Sequence, residues 1–112
     1  MHEDGKLDYL ELPGGDLPAT KAFYGEAFGW TFIDYGPEYA SFNEGLDGGF
    51  DAQAGGVRTP LPVLFARDLE AMQARVEAAG GAIVRPIFAF PGGRRFECLD
   101  PSGNRLAIYQ PD

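Results

Sequence analysis

Carboxylates, guanidinium groups and phenols recur at every second position in three runs: DYLEL (8–12), RRFECL (94–99) and RLAIYQ (105–110). Successive side chains of a β-strand point to opposite faces of a sheet, so each run would separate its polar side chains from its aliphatic ones. The resulting mixed face is typical of the lining of a small-molecule cleft. A dimer interface or a solvated sheet face would give the same pattern, and both alternatives stay open. The predicted ligand-binding residues are Tyr9, Glu11, Arg95, Glu97, Ala107 and Tyr109.

Two of these residues could carry proton transfer. Glu11 and Glu97 could act as general acid or base if burial raised a carboxyl pKa. They could equally form structural salt bridges with Arg95 or Arg105. The only histidine is His2, which lies in an N-terminal segment expected to fray. The sequence therefore lacks a Ser-His-Asp or Cys-His arrangement, and any catalytic residues stay unknown.

The composition restricts the class of protein. The chain has 112 residues, a formal net charge of −8 and an isoelectric point near 4.5. Nucleic-acid binding needs clustered Lys and Arg, so we expect no nucleic-acid partner. No apolar run approaches the length of a membrane span and the polar start lacks a signal-peptide core, so we expect a cytoplasmic protein without a membrane partner. Cys98 is the only cysteine, which excludes a disulfide framework, and alternation predicts that it is buried as a small apolar residue.

An internal repeat supplies the elements that would position these residues. Segments 9–32 and 62–84 each read as a strand, an Asp-Leu pair, a helix closed by glycine and a further strand. The aspartates Asp16 and Asp68 are placed to cap the two helices. Strand-like runs follow each helix: WTFIDY, EYASFNE and GFDAQA in the first half, and AIVRPIF, RRFECL and RLAIYQ in the second. The repeat predicts a single domain, 1–112, made of two βαβββ modules, 6–54 and 61–110.

Alternation also assigns the strand that opens the second module. The run PVLF (62–65) is expected to place Val63 and Phe65 towards the helix, and Pro62 and Leu64 on the mixed face. A turn at 100–103, Asp-Pro-Ser-Gly, is expected to join the last two strands.

Three features together resemble the vicinal oxygen chelate superfamily, the group of glyoxalases, bleomycin-resistance proteins and extradiol dioxygenases. They are the segment DL…FYGEAFGW, the terminal RRFECLDPSGNRLAIYQ and the paired βαβββ layout, which cover essentially the whole chain. The resemblance implies an α+β fold in which two βαβββ modules form a curved mixed sheet around a cleft, with the helices outside. It also implies that metal-dependent relatives hold a divalent ion with His, Gln or Glu from the first and last strand of each module.

The residues at the corresponding positions do not suit a metal ion. Carried over from the family pattern, the ligand positions fall at Tyr9, Pro62 and Ala107, and at Asp51 or Phe50. Proline and alanine have no ligating side chain, and tyrosine is a poor ligand for Zn²⁺ or Mn²⁺ unless a positive field ionises it. We therefore expect no metal site and no cofactor. The alternative is an oxygen-only site formed by Glu11, Asp51 and Glu97.

Two functions remain compatible with these residues. The first is a metal-free protein that binds a cationic or aromatic small molecule, as bleomycin-resistance proteins bind their ligands, with aromatic contacts from Tyr9, Tyr109, Trp30 and Phe50. The second is a metal-dependent lyase, isomerase or dioxygenase with an atypical site. An accessory domain whose cleft serves only dimerisation is a third possibility. In each case the open sheet edges of two short modules favour a homodimer.

Overall fold

Each of the two helices begins directly after an aspartate in the computed structural model, which describes residues 2–53, 56 and 58–112. Helix α1 (Leu17–Phe28) follows Asp16 and helix α2 (Leu69–Ala78) follows Asp68. Each aspartate carboxylate accepts a hydrogen bond from the backbone N–H three residues further on. Helix α1 ends at Gly29, whose φ of 75° is a left-handed conformation that glycine adopts readily. The predicted aspartate caps of both helices and the glycine that closes α1 are confirmed, whereas the C-cap of α2 is Ala79, one residue before Gly80.

The chain forms two compact units, and the first comprises Tyr9–Leu61. Its strands lie in the order β2-β3-β4-β1, with β1 parallel to β4 and β3 antiparallel to both β2 and β4. The element bounds are β1 (Leu7–Pro13), β2 (Ile33–Asp34), β3 (Tyr39–Asn43) and β4 (Asp47–Asp51). The unit thus has the predicted βαβββ order.

The second unit comprises Pro62–Asp112 together with the described residues up to Asp8. Its strands lie in the order β5-β8-β7-β6, with β5 parallel to β8 and β7 antiparallel to both β8 and β6. The element bounds are β5 (Leu61–Phe65), β6 (Ala82–Phe90), β7 (Gly93–Leu99) and β8 (Arg105–Pro111). The α+β class and the βαβββ order of both modules are confirmed.

Each unit has its own hydrophobic core. The core of the first unit is built from Leu17, Ala40, Phe42 and Phe50. The core of the second unit is built from Ala66, Leu69, Phe96, Cys98 and Ile108. Cys98 is thus a buried apolar residue, as predicted, and burial raises the pKa of its thiol.

Two predicted strands have different bounds in the first unit. The run WTFIDY forms a strand only at Ile33–Asp34, because Trp30 and Phe32 pack against the first core instead. The strand predicted in GFDAQA begins earlier, at Asp47, and ends at Asp51. Ala54, the last residue of that predicted run, lies outside the described residues.

The side chains of strand β5 point to the opposite faces from those predicted. Val63 is the direct partner of Ala107, and Phe65 the direct partner of Tyr109, in the parallel pair β5–β8. Paired residues point to the same face, so Val63 and Phe65 lie on the mixed face, whereas Leu64 packs against the second core. The predicted placement of Pro62 and Leu64 on the mixed face is therefore wrong. The run is apolar throughout, so pairing with β8 rather than amphipathic alternation decides its facing.

The turn between β7 and β8 has the predicted form and fixes their register. The Asp100 carboxylate accepts hydrogen bonds from the backbone N–H groups of Ser102 and Asn104, and Gly103 has a φ of 85°. These bonds lead directly into the pairing of Leu99 with Arg105. The side chain of Asn104 donates to the same carboxylate, and these hydrogen bonds lower the pKa of Asp100.

No helix among the described residues is long and apolar enough to cross a membrane.

The cap of helix α2 gives a direct test of this local structure. Asp68→Ala should lower the free energy of unfolding by about 1 kcal/mol, because the Ala71 N–H loses its acceptor. Asp68→Asn should be almost neutral, since asparagine caps helices about as well as aspartate. Urea denaturation of the two variants measures both values, and equal losses in both would contradict the capping role.

Candidate functional site

The mixed face of the first unit carries a pair of phenols, Tyr9 on β1 and Tyr39 on β3. Their hydroxyl oxygens are hydrogen-bonded to each other, and both side chains are partly buried. We call these two residues the tyrosine pair. Tyr9 was predicted from the alternation of β1. Tyr39 was not predicted, although its run, EYASFNE, has the same alternation and would have supplied the signal.

The tyrosine pair meets over a glycine of the intervening strand β4. Gly49 is the direct partner of Glu11 on β1 and of Ser41 on β3. A Cβ at this position would collide with the Tyr39 hydroxyl and would lie 2.6 Å from the Tyr9 hydroxyl oxygen. The two phenols can therefore meet only because residue 49 has no side chain.

The surroundings of the tyrosine pair keep both phenols protonated. Burial raises the pKa of Tyr9, and the negative charges of Glu11 and Asp47 raise it further. Burial and the hydrogen bond with Tyr9 raise the pKa of Tyr39, and Glu11 and Asp51 act in the same direction. The mixed face of this unit is therefore aromatic and acidic, with hydroxyl groups that retain their hydrogens.

Two aromatic residues predicted to contact a ligand lie elsewhere. Phe50 is only 2% exposed and belongs to the first core, and Trp30 packs against the same core. The Trp30 ring stacks on Tyr24 of helix α1, with centroids 4.7 Å apart. The predicted placement of Phe50 on the mixed face is wrong, because Phe50 neighbours Gly49 on β4 and so points to the opposite face. Trp30 contacts the core side of the unit, where its ring also lies 4.8 Å from that of Phe42. Asp51, two residues beyond Gly49, returns to the mixed face.

The mixed face of the second unit is organised by the carboxylate of Glu97. Glu97 is 4% exposed, and both of its oxygens accept hydrogen bonds from arginines. Arg95 Nη2 lies 3.0 Å from Oε2, while Arg105 Nη2 and Nε lie 2.7 and 3.0 Å from Oε1. We call these three residues the carboxylate–arginine cluster. Of the two roles open to Glu97 from the sequence, the geometry supports the salt bridge.

Ala107 lies at the centre of this face. It is fully buried and is the direct partner of Glu97 on one side and of Val63 on the other. Pro62, the ligand position carried over from the family pattern, alternates with Val63 and therefore points to the face opposite Ala107. Neither the Val63 nor the Ala107 side chain has an atom that could bind a metal ion.

A third contact group ties the N-terminal segment to the second unit. The Tyr109 hydroxyl donates to the Asp8 carboxylate, which also lies 2.9 Å from His2 Nδ1. The His2 ring stacks on Phe65 with centroids 5.0 Å apart. Burial opposes ionisation of Asp8, but the bonds from Tyr109 and His2 outweigh it and lower its pKa. His2, expected to fray, is therefore held against β5. Two backbone hydrogen bonds support this segment: the Gly5 N–H donates to the Phe65 carbonyl, and the Phe65 N–H donates to the Lys6 carbonyl.

This set of side chains does not fit the metal site of the resembled family. Strands β5 and β8 offer Val63, Phe65 and Ala107 on the mixed face, and the Tyr109 phenol is bonded to Asp8. Tyrosine ligates as a phenolate, and the raised pKa of Tyr9 opposes that form. Within the described residues, no three His, Cys, Asp or Glu side chains are grouped so that they could hold a metal ion.

The six predicted ligand-binding residues are divided between the two units. Tyr9 and Glu11 share the mixed face of the first unit, and Glu11 is 7% exposed. The other four, Arg95, Glu97, Ala107 and Tyr109, share the mixed face of the second unit through the β7–β8 register. That all six line one concave surface stays a prediction. The alternation of polar side chains predicts these residues. Gly49 has no side chain, so the same pattern gives no sign of its role.

The carboxylate–arginine cluster predicts a stability effect at Glu97. Glu97→Gln should lower the free energy of unfolding by about 2 kcal/mol, because three charge-assisted hydrogen bonds from two arginines lose their charged acceptor. Glu70→Gln is the matched control, since Glu70 pairs with Arg94 in the same unit but at the surface, where such pairs contribute little. Denaturant unfolding of both variants measures the difference. A stable Glu97→Gln variant would show that the cluster does not support the fold.

Several solved structures are similar to this chain. A Legionella pneumophila protein described as an NAD-dependent benzaldehyde dehydrogenase has a TM-score of 0.76 and 17% identity, over 93% of this chain and 98% of that one. Methylmalonyl-CoA epimerase from Mycobacterium tuberculosis has a TM-score of 0.70 and 15% identity, over 100% of this chain and 91% of that one. At these identities the likeness shows the fold alone.

A third structure is more similar in sequence. The Mn(II)-bound glyoxalase from Novosphingobium aromaticivorans is 25% identical, with a TM-score of 0.61, over 91% of this chain and 36% of that one. A search of curated protein sequences finds no match to this chain.

The family-level comparison covers both modules. The sequence model of the Glyoxalase/Bleomycin resistance protein/Dioxygenase superfamily matches residues 6–60 and 61–108. These two matches correspond to the two βαβββ repeats, and they include Tyr9, Gly49, Glu97 and Ala107. The chain therefore belongs to the Glyoxalase/Bleomycin resistance protein/Dioxygenase superfamily.

Proposed function

We propose that this protein binds a small aromatic molecule without using the metal site of its superfamily. The observation that carries the proposal is that the mixed faces offer few side-chain atoms that could bind a metal ion. The side chains of Val63 and Ala107 have no atom that could bind a metal ion. The Glu97 carboxylate already accepts hydrogen bonds from two arginines. In the first unit, the space above Gly49 is filled by the hydroxyls of the tyrosine pair.

The charge of the first unit's mixed face supports a cationic or uncharged ligand. Glu11, Asp47 and Asp51 act on the tyrosine pair with negative charge. Phenol rings beside carboxylates favour cations through cation–π and ionic attraction. Such binding should weaken with salt, because partly exposed charge interactions are screened.

The alternative is a metal-dependent lyase, isomerase or dioxygenase, and the similarity to a Mn(II)-bound glyoxalase favours it. In this chain the alternative would need the oxygen-only set of Glu11, Asp51 and Glu97. A divalent cation at Glu97 would lie beside the guanidinium groups of Arg95 and Arg105, which repel it. That repulsion makes metal-free binding the better supported of the two functions.

Metal content separates the two functions. Elemental analysis of the purified protein should find no stoichiometric zinc, manganese or iron, and a chelator should leave the unfolding midpoint unchanged. About one ion per chain would overturn the proposal. Glu11→Gln and Asp51→Asn should then each lower the bound metal, whereas Glu70→Gln, a surface change of the same kind, should not.

We further propose that the protein is a homodimer. Helix α1 exposes Phe23 and Phe28, which are 58% and 62% accessible and lie with ring centroids 5.9 Å apart. Exposed aromatic clusters of this kind are typical of surfaces that a partner covers. A second copy of this chain would remove both rings from water.

Light scattering tests this assembly. The wild-type protein should have twice the 12.1 kDa mass of one chain. The double variant Phe23→Glu/Phe28→Glu should be a monomer, because burying two carboxylates opposes association. Leu7→Glu is the control, since Leu7 is equally exposed but lies outside helix α1. A wild-type mass near that of a single chain would reject the dimer.

A further inference from the structure

We infer that the tyrosine pair donates one hydroxyl hydrogen to an oxygen acceptor on the bound molecule, so that Tyr39 and Gly49 belong to the ligand site. The inference rests on the proposed function and specifies the chemistry of the ligand. It concerns only the first unit, where Tyr9, Tyr39 and Gly49 lie together.

The tyrosine pair has one more hydroxyl hydrogen than its internal hydrogen bond uses. Two phenol groups carry two hydrogens, and the bond between Tyr9 and Tyr39 uses one of them. Among the described residues, the structure gives each of these two hydroxyls one hydrogen-bond partner, namely the other hydroxyl. Whichever phenol donates within the pair, the hydrogen of the other is directed to an acceptor outside the described protein atoms. Water or a ligand must supply that acceptor.

The pair is well suited to donate rather than to accept. Burial and nearby carboxylates keep both phenols protonated, so the second hydrogen is present at neutral pH. A phenol that already accepts from another hydroxyl is also a stronger donor, because linked hydrogen bonds polarise one another.

The neighbouring charges determine which acceptors fit. Glu11, Asp47 and Asp51 disfavour a second anion beside the pair, so a ligand carboxylate or phosphate is a poor acceptor here. A carbonyl oxygen on an uncharged or cationic molecule has no such penalty. The Tyr35 ring is 63% exposed, and its centroid lies 6.4 Å from that of the Tyr39 ring, so it adds exposed aromatic surface beside Tyr39. The ligand class is therefore an aryl ketone or a related aromatic carbonyl compound without negative charge.

Gly49 makes the geometry of the tyrosine pair possible. The absence of a Cβ lets both hydroxyls approach the backbone of β4, so Gly49→Ala would push them apart. The glycine thus acts as a positioning residue for the donor, although it has no functional group of its own.

The test compares aryl ketones with their closest counterparts that lack the carbonyl. Two pairs serve as probes: 9-fluorenone with fluorene, and (4-acetylphenyl)trimethylammonium with (4-ethylphenyl)trimethylammonium. The wild-type protein should bind each ketone about fivefold more tightly than its counterpart, the factor that one neutral hydrogen bond provides. The infrared carbonyl band of bound 9-fluorenone should also lie at lower frequency than in the absence of a hydrogen bond.

Variants of the tyrosine pair test whether its hydroxyls donate the hydrogen bond to the ligand carbonyl. Tyr9→Phe/Tyr39→Phe should abolish both the fivefold preference and the carbonyl shift, whereas either single variant keeps one hydroxyl and should keep part of the preference. Tyr24→Phe is the matched control, because it removes a phenol hydroxyl from the core side of the same unit. Equal binding of ketone and counterpart by the wild type, or a preference that survives in the double variant, would overturn the inference while the proposed function stands. Failure of all four probes to bind would overturn the proposed function, and the inference with it.

Discussion

The buried carboxylate of Glu97 is the constraint on which the second unit depends. An ionised carboxylate that is 4% exposed must be compensated by charge and by hydrogen bonds, since an isolated buried charge costs several kcal/mol. Arg95 precedes it by two residues on the same strand, and Arg105 reaches it from β8. The Arg105 contact requires the β7–β8 register in which Glu97 pairs with Ala107. That register in turn rests on the Asp100 turn. A small side chain at residue 107 leaves room beside the carboxylate for the arginines, which explains why an alanine stands at the centre of a polar face.

The first unit has the same topology but carries different polar groups on its mixed face. Its last strand also carries a very small residue on the mixed face, Gly49, and neighbouring polar side chains again fill the space. Here they are neutral phenols whose pKa values burial raises, rather than a compensated ion pair. In both modules the last strand thus offers no ligating side chain at these two positions, and the adjacent strands direct polar groups towards the gap. The two modules share a fold but have opposite chemistry, aromatic and acidic in the first and rich in arginine in the second.

Much of the fold could be predicted because short-range rules determine it. An aspartate before each helix, a glycine after the first and the Asp-Pro-Ser-Gly turn each act over a few residues, and all form as expected. The facing of β5 could not be predicted, because an all-apolar run fits either face and only its pairing with β8 decides. Phe50 was misplaced for a related reason: an aromatic residue suits a core as well as a cleft. Tyr39 shows the converse, since its alternation was visible in the sequence but its partner, Tyr9, is thirty residues away.

The arrangement around Glu97 also opposes the binding of a metal ion at this carboxylate. A carboxylate that holds two guanidinium groups is no longer available to a cation, and the two positive charges oppose any ion placed near it. Removing the arginines would not recreate a ligand, because it would leave a buried charge without compensation and destabilise the unit. The tyrosine pair also opposes metal binding, because its phenols stay protonated. Burial and nearby carboxylates disfavour the phenolate that a metal would need, while they preserve the hydroxyl hydrogen that a carbonyl ligand can use. Under the proposed function, the interactions that stabilise each mixed face would therefore also select its ligand.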